Sequence, residues 1–216
     1  MDLERLYAYR FKDVDQPARE AVWGPIARFL DEALDRPARV LDPAAGRCEF
    51  INAVPAAERW AVDRVDYPEG QARAGTRLVV GDAMEVELPE SHFDGVFVSN
   101  FLEHLPTPDH VASFLERMRD CMSPGGRIGV MGPNYRYCAD VYWDCADHYL
   151  ALTHVTVEEQ LYAAGLAPRR TIRRFLPYSF RDRLPASPRL TGAYLRLPLS
   201  WRLFGRQFLV IAERSA

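Results

Sequence analysis

The sequence predicts an α/β fold, in which helices cover both faces of a doubly wound, mostly parallel sheet of seven strands. Short apolar runs, each suited to a strand buried on both faces, alternate with stretches whose apolar residues recur at helical spacing. Strands that alternate with helices pair in parallel, because each helix returns the chain to the same end of the sheet. A chain of 216 residues, 48% of them hydrophobic and 26% charged, is long enough to bury one such core.

The first five strands and their helices follow in order. Helical spacing extends from the start of the chain to about Leu34, and another helix is predicted over Pro108–Cys121. The turn residues Ser123–Gly126 separate that helix from the fifth strand. The five predicted strands are Ala38–Asp42, Arg59–Asp63, Thr76–Val80, Phe93–Ser99 and Arg127–Met131.

The pattern loosens beyond Met131. Residues 133–154 are rich in Tyr, Trp, Asp and His, which predicts a long loop over a ligand site. A helix is predicted over Thr156–Ala164, with Thr156 as its N-cap and Glu159 completing a capping box.

The last quarter of the chain is predicted to complete the sheet. Two more strands are expected, at Arg169–Leu176 and Gln207–Ala212. Between them, residues 177–206 form an Arg- and Pro-rich insertion, with a helix over Leu190–Phe204.

Composition and charge indicate a cytoplasmic protein with one α/β domain, residues 37–216, behind a helical cap at residues 1–36. The formal net charge of -3 and the lack of a broad basic track argue against nucleic-acid binding. No apolar run is long enough to span a bilayer, and the first residues lack the apolar core of a signal peptide. The four cysteines form no C-x-x-C pair, which is typical of a reduced compartment.

Small and acidic residues follow the first two predicted strands. Asp42 ends the first strand, and the turn after it contains Ala44 and Gly46, whose small size lets a ligand approach the backbone. Asp63 ends the second strand, and Arg64 follows it. A carboxylate at this place can accept hydrogen bonds from both hydroxyls of a ribose.

The next two strands end in a similar way. Asp82 and Ala83 follow the third strand, where the carboxylate can accept a hydrogen bond from the amine of an adenine. Ser99, Asn100 and Phe101 follow the fourth strand, where backbone carbonyls can meet an ammonium group. Since a doubly wound sheet binds ligands beyond the carboxyl ends of its strands, these residues and those above predict one nucleoside site.

With these motifs the chain resembles the class I S-adenosylmethionine-dependent methyltransferases over residues 38–132. The resemblance implies a Rossmann-like fold, S-adenosylmethionine as the cofactor, and a cofactor site built from the residues above. In the family's acidic-x-Gly-x-Gly-x-Gly motif, Ala44 and Cys48 replace the outer glycines and Gly46 remains. The matching segments are Val40–Phe50, Asp63, Gly81–Ala83, Phe93–Leu105 and Met122–Arg127.

A nicotinamide dinucleotide is the competing cofactor. It requires a Gly-x-Gly-x-x-Gly turn that cradles a pyrophosphate at a helix N-terminus. The turn here contains Pro43 and Arg47 instead, which suits S-adenosylmethionine because that molecule has no phosphate.

Three histidines are candidate catalytic residues. His104 lies just past the fourth strand, where cofactor and acceptor should meet, and suits removal of a proton from a hydroxyl. His148 and His154 lie in the aromatic loop, where with Asp144 and Asp147 they would supply a second base or ligands for a divalent metal. The spacing matches no compact ligand motif, so no metal site is assigned. Each histidine could instead pack within its loop.

Aromatic and basic side chains are the candidate acceptor contacts. Tyr135, Tyr142 and Trp143 present faces that cover sugars well, or they form the core of their own loop. Tyr9 and Arg10 are assigned to an N-terminal flap, since this segment resembles the lid of many class I enzymes.

Arginine dominates the segment from Arg169 to Arg206, where ten arginines accompany one acidic residue. Three interpretations stay open: a solvated face, a grip on a phosphorylated acceptor, or contact with an anionic membrane surface. The membrane interpretation takes Tyr194, Trp201 and Phe204 as anchors, and Pro198 argues against it because proline breaks a helix. The tail segments Tyr142–Asp144, Arg174–Tyr178 and Tyr194–Pro198 resemble a bacterial subgroup associated with glycan biosynthesis.

The leading hypothesis is O-methylation of a small polar acceptor, with a sugar-like, natural-product or phosphorylated hydroxyl compound as the substrate. N-methylation, C-methylation and a non-catalytic, cofactor-binding partner subunit are the alternatives. A nicotinamide oxidoreductase is the third class.

Overall fold

A computed structural model describes residues 2–64, 72–178 and 187–215. The helices are α1 (Leu3–Arg10), α2 (Gln16–Ala33), α3 (Glu49–Ala53), α4 (Pro108–Cys121), α5 (Tyr135–Cys138), α6 (His154–Ala163), α7 (Pro188–Arg196) and α8 (Pro198–Phe204). The strands are β1 (Arg39–Asp42), β2 (Glu58–Asp63), β3 (Thr76–Val80), β4 (Phe93–Ser99), β5 (Met122–Pro133), β6 (Leu166–Ile172) and β7 (Gln207–Arg214).

The seven strands form one sheet in the order β3-β2-β1-β4-β5-β7-β6. Strands β1 to β5 pair in parallel, whereas β7 runs antiparallel between β5 and β6. The chain winds outward from β1 in one direction and from β4 in the other, which opens a crevice where the direction changes. The predicted doubly wound, Rossmann-like fold is confirmed.

Helices cover both faces of this sheet, because alternate residues of each strand enter two separate cores. Leu41 and Val62 pack into the core that contains the apolar faces of α4 and α6. Val40 and Ala61 pack into the core on the other face, with residues from α2, α3, α7 and α8. The α2 helix therefore belongs to the main core, and α1 is the helix that buries no residue.

Several helix boundaries differ from the sequence prediction. The N-terminal helical stretch is two helices, and Asp15 caps the second through its side chain. Thr153, rather than Thr156, is the N-cap of α6, and Thr156 closes the capping box in place of Glu159. The prediction placed the cap one turn late because Thr-x-x-Thr and Thr-x-x-Glu both satisfy the pattern.

The outer strands and the insertion also differ from the prediction. The sixth strand begins at Leu166 instead of Arg169 and ends at Ile172. Residues 123–126 belong to β5 as an irregularity in its pairing with β4, instead of a separate turn. The helix expected over Leu190–Phe204 is divided, because Pro198 ends α7 and occupies the first turn of α8.

No helix in the described part of the chain combines the length and the apolar character that crossing a bilayer would need.

The end of α8 predicts a strong glycine requirement. A Cβ at Gly205 would lie 2.5 Å from the carbonyl carbon of Arg174 and 2.6 Å from the carbonyl oxygen of Trp201. Gly205→Ala should therefore lower the free energy of unfolding by about 1–3 kcal/mol. Gly192→Ala is the control, because a Cβ in that helix meets only one atom, at 3.9 Å, and should stabilise by about 0.5–1 kcal/mol. Urea unfolding of both variants measures the difference, and equal effects would contradict the packing argument.

Candidate active site

One cavity of about 700 Å³ lies beyond the carboxyl ends of the first four strands. Its volume is in the range of small-molecule sites, about 300–1,000 Å³. All ten residues assigned from the sequence to the cofactor line it. They are Asp42, Ala44, Gly46, Asp63, Arg64, Asp82, Ala83, Ser99, Asn100 and Phe101.

The turn after β1 brings the backbone to the floor of the cavity. The amide of Gly46 donates to the Asp63 carboxylate at 2.7 Å, and the amide of Ala44 donates to Asp42 at 3.3 Å. Gly46 has a φ of 53° and Cys48 a φ of 62°, both in the left-handed region that favours glycine. The family motif has glycine where Cys48 stands, so this chain carries a buried thiol in a conformation that costs a side chain free energy.

The ends of β2 and β3 are tied together beside this turn. The amide of Gly81 donates to the carbonyl of Asp63 at 2.8 Å. Asp82 accepts from the amide of Met84 at 2.9 Å and pairs with Arg64. Partial burial would raise the pKa of Asp82, but the Met84 amide and Arg64 lower it, so the carboxylate stays charged.

Three carboxylates give this end of the cavity a negative character. Asp42 is 3% exposed, and burial raises its pKa well above the ordinary value, helped by the nearby charges of Asp63 and Glu49. Glu49 is paired with Arg19 at 2.5 Å. A cationic ligand beside these carboxylates would favour their charged forms and so lower the pKa of Asp42.

The opposite end of the cavity contains an oriented imidazole. Nδ1 of His104 lies 2.8 Å from the backbone carbonyl of Asp147 and 3.3 Å from its carboxylate. Arg10, on α1, forms a two-point ion pair with the same carboxylate. Burial would raise the pKa of Asp147, but the hydrogen bonds to Arg10 lower it, so Asp147 stays ionised.

Two more titratable groups lie against His104. The ring of His148 is 4.9 Å from that of His104, and burial lowers the pKa of His148 to about 4, which keeps it neutral. Glu103 is 2% exposed, and burial raises its pKa. Donor atoms of Glu103, His104 and His148 lie within 4.8 Å of one another, a spacing that a divalent cation can bridge. The charges of Asp147 and Arg10 act on Glu103 and His148 with opposite signs.

His154 lies outside the cavity. It is buried at the start of α6, with Nδ1 3.0 Å from the side-chain nitrogen Nδ2 of Asn134, which also donates to the carbonyl of Arg173. Of the residues considered as metal ligands, Asp147 and His148 reach the cavity, while Asp144 and His154 do not line it. The geometry therefore supports His104 and His148 as site residues and gives His154 a structural place.

Tyr142 is buried at the centre of the aromatic loop, with Tyr135 packed against it. The hydroxyl of Tyr142 bridges the loop, donating to the carbonyl of Leu150 at 2.6 Å and accepting from the amide of Leu152 at 3.1 Å. The rings of Tyr135 and Trp143 pack edge-on against Tyr142. None of these three lines the cavity that the described residues enclose, so the sequence assignment to acceptor contact has no support here.

Of the two residues assigned to an N-terminal flap, Tyr9 and Arg10, only one lines the cavity. Arg10 lines the cavity, but Tyr9 is 71% exposed, with Lys12 over its ring. Residues on the other face of α1 take its place, because Leu3, Tyr7 and Arg10 are spaced for one face of a helix.

Sequence reasoning missed several lining residues. Glu103 belongs to the Leu-Glu-His motif after β4, but the sequence did not reveal that its side chain is buried in the site. Tyr7 could have been found from its helical spacing to Arg10. Tyr178 lies 3.5 Å from the thiol of Cys145 and lines the cavity. It belongs to the Arg174–Tyr178 segment of the resemblance, but no periodic pattern placed it in the site.

A wound parallel sheet whose strand-end carboxylates converge on one cavity defines a nucleoside-binding protein of the Rossmann-like class. S-adenosylmethionine fits the residues present, since the negative end suits its cationic amino acid and the carboxylates of Asp63 and Asp82 suit a ribose and an adenine amine.

Comparisons with known proteins agree with this class. Residues 31–130 match the methyltransferase domain family. A protein of Encephalitozoon cuniculi named as a methyltransferase is 28% identical over 134 residues, or 58% of this chain, and the match covers 61% of that protein's length. Just under half of the chain therefore matches a methyltransferase domain.

Solved structures share the fold at low identity. A methyltransferase dependent on S-adenosylmethionine from Archaeoglobus fulgidus is 22% identical, with a TM-score of 0.67 over 99% of this chain and 100% of that one. The 1,6-didemethyltoxoflavin N1-methyltransferase of Burkholderia thailandensis, solved with S-adenosylhomocysteine, is 21% identical, with a TM-score of 0.60 over 100% of this chain and 90% of that one.

The Asp63 carboxylate predicts a loss of cofactor affinity when its charge is removed. Asp63→Asn should weaken binding of S-adenosylhomocysteine about tenfold to a hundredfold, since hydrogen bonds to charged groups contribute about 1.5–3 kcal/mol. Asp94→Asn is the control, because Asp94 pairs with Arg39 at the opposite end of the sheet. Calorimetric titration measures both variants, and equal affinities for wild type and Asp63→Asn would contradict the assignment.

The buried His148 predicts acid sensitivity. Its folded pKa of about 4 lies below the ordinary value of 6.5, so its contribution to stability is complete above pH 6.5 and is lost as pH falls toward 4. Between pH 6.5 and pH 5 the wild type should lose about 2 kcal/mol relative to His148→Gln, in which nothing titrates at this position. Urea unfolding of both proteins at the two pH values measures this loss, and parallel pH dependence would rule it out.

Proposed function

We propose that this protein transfers the methyl group of S-adenosylmethionine to a hydroxyl of a small polar acceptor. The observation that carries the proposal is the His104–Asp147 pair, which faces the same cavity as the cofactor carboxylates. A hydroxyl loses its proton when it is methylated, and an oriented imidazole at the acceptor end can take that proton.

The cofactor end of the cavity binds and orients. The Asp63 carboxylate, already held by the Gly46 amide, faces the place of a ribose diol. Asp82 stays charged and suits the exocyclic amine of adenine. Asp42 and Glu49 favour the positively charged amino-acid end.

When bound, S-adenosylmethionine supplies an activated methyl group on a positively charged sulfur. The protein must then align the acceptor and exclude water, because this chemistry needs little further activation. Tyr7 and Phe11, on or just after α1, and Trp23 on α2 cover the cavity with apolar surface.

The proton of the acceptor goes to Nε2 of His104. If Nδ1–H of His104 donates to the Asp147 carbonyl, the tautomer leaves Nε2 as the acceptor atom. The Asp147 carboxylate then stabilises the imidazolium that forms, and Arg10 keeps that carboxylate ionised. His148 remains neutral beside it, so it does not repel the new positive charge.

A small, polar, sugar-like acceptor suits this end of the cavity. Its walls include His104, the Arg10–Asp147 pair and the exposed ring of Tyr149. The arginines of α7 and α8 do not line the cavity, so the described residues give no support to a grip on acceptor phosphate by this tail. Hydroxyl methylation is favoured over N- or C-methylation by the oriented base.

The His104 assignment predicts a specific kinetic defect. His104→Gln should lower the rate of methyl transfer about a hundredfold or more, with unchanged affinity for S-adenosylmethionine, because a general base acts only on the acceptor. His110→Gln is the matched control, since His110 is exposed at the rim of the same cavity. The assay measures S-adenosylhomocysteine formed with a panel of methyl glycosides, nucleotide sugars and phenols.

The same assay separates the alternatives. If His104→Gln turns over at the wild-type rate, His104 is not the general base. Tight cofactor binding by the wild type without turnover of any acceptor would favour the non-catalytic partner subunit instead.

A further inference from the structure

Helices α7 and α8 carry a concentrated exposed apolar surface. Of the eleven large hydrophobic side chains exposed in the described residues, five lie on or between these two helices. They are Leu190, Leu197, Leu199, Leu203 and Phe204, with exposed fractions from 55% to 73%. Together with the exposed arginines Arg189, Arg196 and Arg202 they form what we call the α7–α8 surface.

The arginines of this surface have no counter-charge among the residues that the structure describes. Arg189, Arg196 and Arg202 form no ion pair with any described residue. The sequence between residues 187 and 206 contains no Asp or Glu, although the whole chain has a net charge of -3. The surface is therefore apolar and cationic at once, on a molecule that is otherwise acidic.

Buried side chains of α7 and α8 pack these helices against the rest of the protein. Trp201 packs against Phe29 of α2 and Phe175, and its ring nitrogen donates to the carbonyl of Tyr194 at 2.9 Å. Leu195 is also buried in this core. Two of the three aromatic residues considered as membrane anchors from the sequence, Tyr194 and Trp201, thus serve the interior, and leucines face outward.

Pro198 does not break the surface. It stands in the first turn of α8, where proline is tolerated because the first amides of a helix have no intrahelical partner. The two short helices meet in an elbow at Leu197, and helical spacing places Leu199, Arg202 and Leu203 on one face of α8. From the sequence, Pro198 argued against membrane contact because it would break a single helix. That argument does not apply to two helices that are divided at this proline.

We propose that the α7–α8 surface docks on an anionic lipid bilayer. Leucine and phenylalanine side chains enter the boundary between headgroups and acyl chains, and arginines on the same elbow reach the lipid phosphates. Charge complementarity favours this occupant, because a bilayer with acidic lipids offers negative charge along the whole face.

A second copy of this chain is a poorer occupant. A twofold dimer through this elbow would bring six arginines together with no acidic residue from the same segment to pair with them. Like charges at a buried interface cost free energy unless they are paired.

The elbow lies near the cavity through α2. Arg19 and Trp23 of α2 line the cavity, and Pro25, half a turn further along, faces Gly192 of α7. Because Pro25 points about half a turn away from Trp23, α2 lies between the cavity and the α7–α8 surface. The inference does not depend on methyl transfer, because binding to lipid can be measured with no acceptor present.

Vesicle flotation of the full chain tests the proposal. Wild type should bind vesicles of phosphatidylcholine with 30% phosphatidylglycerol, and bind vesicles of pure phosphatidylcholine at least about tenfold more weakly. Leu199→Glu combined with Leu203→Glu should reduce binding about tenfold or more, since charges replace inserted leucines. Changing Arg189, Arg196 and Arg202 to Gln should reduce it about a hundredfold, from about fivefold for each arginine.

The control is Tyr162→Glu, which places one glutamate on α6 at a side chain that is 74% exposed, and each single leucine variant is compared with it. It should bind vesicles as the wild type does, and calorimetry with S-adenosylhomocysteine confirms that each variant is folded. Failure of the wild type to bind anionic vesicles, or wild-type binding by the double glutamate variant, overturns the proposal. A third outcome also overturns it: the wild type sediments as a dimer and does not bind vesicles, and the double glutamate variant sediments as a monomer. The α7–α8 surface would then be covered by a second copy of the chain.

Discussion

The carboxylate of Asp147 joins three separate parts of the chain at the mouth of the cavity. It pairs with Arg10 of α1, lies beside the imidazole of His104 after β4, and belongs to the loop that Tyr142 braces from within. Because it is nearly buried, its charge is stabilised only as long as these partners stay in place. The closure of the cavity by α1 and the orientation of the imidazole therefore depend on one ionised group.

The cofactor end rests on a different constraint, the geometry of parallel strands. Each strand ends at the same edge, so residues far apart in sequence must meet there. This is why the order of Asp42, Asp63 and Asp82 was enough to predict a shared cavity, and why the strands of the first half were placed within one or two residues. The parallel sheet therefore brings acidic residues that are spaced along the sequence into one cavity.

The acceptor end could not be predicted in the same way. Residues between β5 and α6 have no period of 2 or 3.6, so the sequence does not reveal which face of Tyr142 or His148 points inward. His154 illustrates this, since moving the start of α6 by one turn takes its ring from the loop to a buried contact with Asn134. The residue types alone allowed these side chains either to contact a ligand or to form the core of the loop. Their packing in the folded chain determines which of the two they do.

The α1 helix buries no side chain, although it lines the cavity and carries Arg10. A segment with so little buried apolar area opens at a small free-energy cost, well below that of global unfolding. Any molecule as large as a nucleoside that enters or leaves beneath this helix can do so by local opening, without disturbing the sheet. The Arg10–Asp147 ion pair ties this helix to the loop that follows β5, so the residue beside the imidazole of His104 also holds the helix that lines the site.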